Sequence, residues 1–171
     1  MKYLLFALLL LAPEAWTVDS AASKINFSVH GPFGTVHGTL SGLEATVQFN
    51  EKDPEGGSMK ARIPVKTIQT GNGKRDKDLC NEETWFNVAK YPDITFVSHK
   101  FAKTSSGYSV SGDLTIKGVV KPATIPFTFV ANGAGGVFKG SFTLNRNDFG
   151  LGKSGMVGDV VTISLEVPVK K

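Results

Sequence analysis

Apolar and polar residues alternate along most of this chain in short stretches. In the stretch covering residues 16–30, Ile25, Phe27 and Val29 alternate with polar neighbours. A period of two is typical of a β-strand with one buried face. Turn residues such as Gly31-Pro32-Phe33-Gly34 separate the stretches. The alternation predicts eight strands, at residues 16–30, 36–50, 59–65, 94–98, 108–116, 125–129, 138–144 and 161–167.

The alternation breaks between the third and fourth of these stretches, at residues 70–91. We expect one or two short helical turns here, with Asn81 as the N-cap and Glu82 in the first turn. Tyr91-Pro92 ends the segment. Apolar side chains of the segment should pack inward and close one end of the fold; these are Leu79, Trp85 and Phe86.

Eight short strands with one helical interruption predict the fold class. We expect an all-β protein, an eight-stranded antiparallel barrel with a short helical segment between strands 3 and 4. The length of 171 residues suits one domain, and the 12 Phe and 19 Gly favour β structure over helix. The interior of such a barrel is either filled by side chains or able to hold one small ligand, and periodicity does not separate these alternatives.

The N-terminus carries the pattern of an export signal. Lys2 precedes an apolar run at residues 4–11, which is followed by Ala12-Pro13-Glu14-Ala15. This run is too short to span a membrane. We therefore expect a signal peptide at residues 1–15, a barrel domain at residues 16–171, and a periplasmic or secreted location.

Charge and chemistry narrow the function classes. The net charge of +4 is spread along the chain, which argues against a nucleic-acid site but leaves weak contact with a membrane surface open. Cys80, alone in the sequence, forms no internal disulfide. His30 and His37 lack a third ligand for a metal, and no nucleophile has a recognisable base partner. The sequence predicts no metal, no cofactor, no catalytic residue, and a protein that is not an enzyme.

Several segments together resemble the YceI-like family, in the family's order and over nearly the whole predicted barrel domain. Two positions depart from the family's usual residues, because Asp78 stands where it often has His and Trp85 where it often has Phe. The segments that carry the resemblance are residues 16–19, 23–27, 68–71, 75–76, 79, 85–86, 91–96, 112–119, 121–122 and 145–150.

The resemblance implies a lipocalin-like extended barrel with a helix packed at one end. It also implies an exported protein that binds a polyisoprenoid chain, such as a prenyl quinone or prenyl phosphate, or in other members a fatty acid or its amide. The family brings no catalytic residues. A long-chain lipid is thus the expected ligand, and a homodimer stays open.

Candidate ligand-binding residues follow from the alternation if each apolar face points inward. Arg75 and Arg146 are the cations best placed near a mouth, where they would meet a phosphate or quinone oxygen; for Arg75 an ion pair with a nearby Asp is an equal alternative. The apolar candidates are Phe27, Val29, Phe49, Ile63, Trp85, Phe86, Phe96, Leu114, Phe127, Phe129, Phe142 and Ile163.

Two other functions compete with lipid binding. The first is a lipid-modifying enzyme of the isomerase type on the same barrel, which requires polar groups that converge deep in the interior. The second is a ligand-free stress or interaction module, which requires a filled interior and an exposed apolar patch.

Overall fold

The computed structural model describes residues 15–153, 155 and 157–171. The predicted signal peptide lies outside the described residues except for Ala15, which begins the first strand. The elements are β1 (Ala15–Val18), β2 (Lys24–Gly31), β3 (Gly34–Leu40), β4 (Glu44–Gln48), β5 (Ser58–Pro64), α1 (Gly73–Asn81), β6 (Asp93–Thr104), β7 (Gly107–Ile116), β8 (Val119–Asn132), β9 (Gly135–Asn145) and β10 (Val160–Lys170).

The strands form one antiparallel ring in which two pairs of segments each act as a single interrupted strand. Strands β1 and β2 lie end to end along the same edge of β10, and β3 and β4 follow each other in the same way along β2 and β1. Strand β4 continues the ring to β5, and neighbours then follow in chain order to β10. The prediction of an all-β, eight-stranded antiparallel barrel is therefore confirmed.

Local hydrogen bonds produce the two interruptions. Between β1 and β2, an Asp19 carboxylate oxygen accepts from the Ala22 amide, and the Ser23 hydroxyl donates to the Asp19 carbonyl. Between β3 and β4, the Ser41 amide donates to the Thr67 hydroxyl, and Gly42 adopts a φ of 76°. A positive φ is easily accessible to glycine, so the chain can turn there before β4 begins.

The helical segment between the third and fourth strands is also confirmed, but its start differs from the prediction. Helix α1 begins after Asn72, whose side-chain oxygen accepts a hydrogen bond from the Arg75 amide. Asn81 is the last residue of the helix, so the prediction of Asn81 as N-cap is wrong. The charged residues 74–78 are helical, although no apolar periodicity marks them as such.

Seven aromatic side chains fill the end of the barrel opposite α1, and we call them the aromatic plug. Phe49 is its centre, with 0% of its surface exposed and ring centroids of five neighbours 5.0–5.9 Å away. The Trp16 indole donates to the Phe49 carbonyl at 2.8 Å. The plug consists of Trp16, Phe49, Phe101, Tyr108, Phe127, Phe129 and Phe138.

Candidate functional site: an apolar cavity inside the barrel

A cavity of about 600 Å³ occupies the barrel between the aromatic plug and helix α1. At one end its wall is formed by the plug residues Phe101, Phe127 and Phe138. At the other end it is formed by Leu79 of α1 and by Trp85. The interior of this barrel is thus hollow, which settles the alternative that strand periodicity left open.

Small residues at inward positions explain why the barrel is not filled. Ala45 and Ala61 face each other across β4 and β5, and both line the cavity. Gly140 is an inward position of β9 that contributes no side chain. Phe27 is large, but its ring lies so close to Gly38 on the neighbouring strand that no Cβ would fit between them. The ring therefore lies along the wall and leaves the lumen free.

The structure brings nearly all of the predicted ligand-binding residues to this cavity. The exceptions are Phe49 and Phe129, which belong to the aromatic plug and do not line the cavity. The predicted residues that line it are Phe27, Val29, Ile63, Trp85, Phe86, Phe96, Leu114, Phe127, Phe142, Ile163, Arg75 and Arg146.

Some lining residues were not among the candidates. Several of these have the inward alternation and were detectable from it; they are Ile25, Val36, Leu40, Ala45, Ala61, Val110, Val161, Leu165 and Val167. Others lie outside the strands, where no period of two marks them; they are Leu43, Ile68, Leu151 and Val157.

Polar side chains gather at the helix end of the cavity. Arg75 donates from Nε to the Thr70 hydroxyl at 2.7 Å and from Nη2 to the Thr70 carbonyl at 2.8 Å. The same Thr70 is bound to Asp76 through both its amide and its hydroxyl. Arg75 and Asp76 thus both bind Thr70. Among the described residues no ion pair joins Arg75 directly to an Asp, which was the alternative given for this arginine. Lys74 pairs with Asp78 at 2.7 Å.

Arg146 also lines the cavity, but its guanidinium serves the chain itself. The side chain is 2% exposed, and all three of its guanidinium nitrogens donate to oxygens of the following loop, at 2.5–3.2 Å. An ion pair with Asp159 completes the set. Arg146 therefore holds the loop between β9 and β10 in place.

Two glycine contacts join the loops over the helix end. The Gly152 amide donates to the Thr84 carbonyl, and the Trp85 ring occupies the space where a Cβ of Gly152 would stand. Gly158 donates to the carbonyl of His30 in the β2–β3 hairpin. Three separate segments thereby pack together around this end of the cavity.

Reactive groups do not converge in the described part of the barrel. No group of three or more His, Cys, Asp and Glu among the described residues is arranged to hold a metal ion. His30 and His37 are not opposite each other, because the register pairs His30 with Thr35. Burial, followed by the charge of Asp76, raises the pKa of the Cys80 thiol, which disfavours the nucleophilic thiolate.

Within the described residues, no helix is both long and apolar enough to cross a membrane.

Comparisons with known proteins agree with this architecture. The family model of the YceI-like domain matches residues 16–169. A UPF0312 protein of Pseudomonas savastanoi pv. phaseolicola is 31% identical, over 92% of this chain and 88% of its own. The crystal structure of Burkholderia cenocepacia BcnA superposes with a TM-score of 0.82 and 29% identity, over 88% of this chain and 98% of that one.

A more distant structure shares the fold. It is a polyisoprenoid binding domain from Saccharophagus degradans implicated in plant cell wall breakdown, with a TM-score of 0.68 and 14% identity. The superposition covers 91% of this chain and 97% of that domain.

Proposed function

Since the chain belongs to the YceI-like family, we propose that its barrel is a lipid-binding site that holds one long apolar chain, a polyisoprenoid, a prenyl quinone or a related lipid. The observation that carries this proposal is the hollow, apolar interior between the aromatic plug and α1. The fold shared with the polyisoprenoid binding domain from Saccharophagus degradans supports the choice of ligand class.

The size of the cavity suits such a chain. If one carbon atom takes about the volume of a water molecule in the liquid, roughly 30 Å³, the cavity has room for on the order of twenty carbons. That corresponds to about four five-carbon units on the same basis. A longer lipid would extend from the helix end, because the aromatic plug closes the other.

Burial of apolar surface supplies the affinity. Each CH₂ removed from water is worth about 0.8 kcal/mol, so a five-carbon unit contributes roughly 4 kcal/mol. Four such units sum to about 16 kcal/mol, close to the practical ceiling of roughly 18–21 kcal/mol for non-covalent binding. The ordering of a flexible chain offsets much of this sum. Even a partly buried chain would therefore bind tightly.

The polar end of the cavity gives the lipid an orientation. Among the described residues, Nη1 of Arg75 makes no hydrogen bond, while its other nitrogens bind Thr70. A guanidinium nitrogen held in this way is a suitable donor to a phosphate or quinone oxygen. We assign the headgroup to the side of Arg75 and the tail to the side of the plug.

The proposal includes export and excludes covalent chemistry. The signal-like sequence at residues 1–15 supports a periplasmic or secreted location. The lining polar groups gather mainly beside α1 and do not converge deep in the barrel, which disfavours an isomerase-type enzyme. The hollow interior disfavours a ligand-free module, because that alternative requires a filled barrel.

Native mass spectrometry of the protein purified from its own host tests the proposal. We expect a co-purifying mass of a long-chain lipid, and after delipidation we expect saturable binding of a fluorescent polyprenyl probe. The variant Ala45→Phe places a ring in the cavity and should abolish binding of the probe. The control Thr46→Phe places the same ring on the exposed outer face of β4. Equal binding by both variants, or no binding by the wild type, would refute the proposal.

A further inference from the structure

A single aromatic ring projects into solvent at the tip of the β2–β3 hairpin. Phe33 is 102% exposed, whereas every other Phe that the structure describes is half-buried or buried. The two residues of the turn are Pro32 and Phe33, and Gly31 pairs with Gly34 below them. No polar side chain therefore interrupts this tip.

The hairpin that carries Phe33 also forms part of the cavity wall. Val29 and Val36 face each other across the two strands, and both line the cavity. Only the pairs His30–Thr35 and Gly31–Gly34 separate them from the turn. The tip is thus only two residue pairs away from the apolar lumen, at the same end of the barrel as α1.

Beside this hairpin the outer edge of β3 has no partner strand among the described residues along most of its length. Thr39 exchanges two backbone hydrogen bonds with Gln69, so its N–H and C=O point away from β2. Because the direction alternates along a strand, Thr35 and His37 present their backbone groups to the same free edge. In the described part of the chain no strand pairs with that edge beyond Thr39. The cavity therefore has a lateral boundary that strand pairing does not seal.

We propose that Phe33 inserts into the surface of a lipid bilayer and docks the helix end of the barrel against it. This inference rests on the proposed function, because it supplies the route by which an apolar chain passes between bilayer and cavity. An aromatic ring at the membrane–water interface is favourable, and one ring gives a contact that is weak and reversible.

The shape of the tip favours a bilayer over a second protein. A stable protein interface buries about 800 Å² on each partner, which a two-residue turn does not provide. A bilayer has no such requirement, since a single side chain can enter it. Charge contributes little, because the three cations of the neighbouring helix α1 are nearly balanced by two acidic residues on the same helix, and Lys74 is paired with Asp78. The contact should therefore depend only weakly on salt.

Vesicle flotation with the full-length mature protein tests the docking. Phosphatidylcholine vesicles are used with and without phosphatidylglycerol, and Phe33→Ser is compared with Val130→Ser. Val130 is also exposed, at 61%, but lies on β8 beside the aromatic plug. We expect Phe33→Ser to lower vesicle binding about tenfold, from the lost burial of one aromatic side chain. Val130→Ser should bind as the wild type does, and Phe33→Trp should restore binding.

Transfer of a fluorescent polyprenyl probe separates docking from ligand binding. From vesicles, loading of Phe33→Ser should slow by about the same tenfold factor. From detergent micelles, its affinity for the probe should equal that of the wild type. If Phe33→Ser binds vesicles and takes up the probe as well as the wild type does, the inference is overturned. It is also overturned if Val130→Ser loses vesicle binding to the same extent as Phe33→Ser. Failure of the wild type to bind the probe from micelles would instead count against the proposed function.

Discussion

The ring of Phe27 lies directly against the backbone of Gly38, its cross-strand neighbour on β3, with no room for a Cβ between them. This contact lets a large side chain occupy an inward position without crossing the lumen. The width of the cavity thus depends on the absence of a side chain at a residue that does not itself line it.

Gly38→Ala should narrow the cavity by pushing the Phe27 ring into the lumen. The new methyl group would also approach the Gln69 carbonyl, at 2.9 Å, so we expect a stability loss of about 1–3 kcal/mol, typical of overpacking. Probe affinity and urea denaturation measure the two effects. Gly73→Ala is the control, because a Cβ there meets no atom within 4 Å. Unchanged affinity in a folded Gly38→Ala variant would show that Phe27 does not limit the lumen.

Val167→Phe should shorten the lipid chain that the barrel accepts. Val167 lines the cavity and pairs with Phe138 of the aromatic plug, so added bulk fills the deepest part of the lumen. We expect the affinity for long prenyl chains to fall while short chains bind almost as before. A series of prenyl alcohols of increasing length, titrated against each variant, measures this preference. Ser164→Phe, on the outer face of β10, should show the same chain-length preference as the wild type.

Arg75→Met should weaken the binding of a prenyl phosphate more than that of the matching prenyl alcohol. A charge-assisted hydrogen bond is worth about 1.5–3 kcal/mol, so we expect roughly a tenfold to hundredfold loss for the phosphate. Isothermal titration calorimetry with both ligands gives the ratio of their dissociation constants. Lys77→Met removes an exposed charge from the same helix and should leave the ratio unchanged. An equal loss for both ligands would assign Arg75 to the structure of α1 and not to the headgroup.

Arg146→Met should destabilise the fold by about 2–4 kcal/mol, because four buried or partly buried carbonyl oxygens lose a charged donor. Arg146→Lys should recover little of this loss, since a single ammonium group lacks the fork of donors that reaches several oxygens. Urea denaturation measures both. Arg62→Met is the comparison; Arg62 forms ion pairs with Glu44 and Asp93, but its side chain is 45% exposed, so water screens both pairs and the loss of stability should be much smaller than at Arg146. Equal losses at the two arginines would contradict the role given to Arg146.

The sequence predicted the barrel because alternation reports which way each side chain points. Strand number, antiparallel order and the position of the helix all follow from that pattern and from the turns. The start of α1 did not follow, because the charged residues 74–78 have no apolar face and the capping role of Asn72 depends on its backbone conformation.

Alternation was weaker evidence for the candidate site, because it indicates whether a side chain points inward but not at which height along the barrel axis that side chain lies. Phe129 and Phe142 both point inward on neighbouring strands, yet Phe129 packs in the plug and Phe142 lines the cavity. The hollow itself depends on side-chain volume at particular heights, such as Ala45 opposite Ala61. A pattern that scores residues only as apolar or polar treats these alanines like any larger residue.

The aromatic plug also bears on how cargo would move. Because the plug closes one end of the barrel, a ligand cannot pass through from end to end and must leave by the end at which it entered. It would travel tail first on the way in and head first on the way out. The donor of the lipid and its acceptor would have to contact the same end of the barrel one after the other. This suits a carrier that dissociates from the donor before it binds the acceptor, and not a protein that contacts both at the same time.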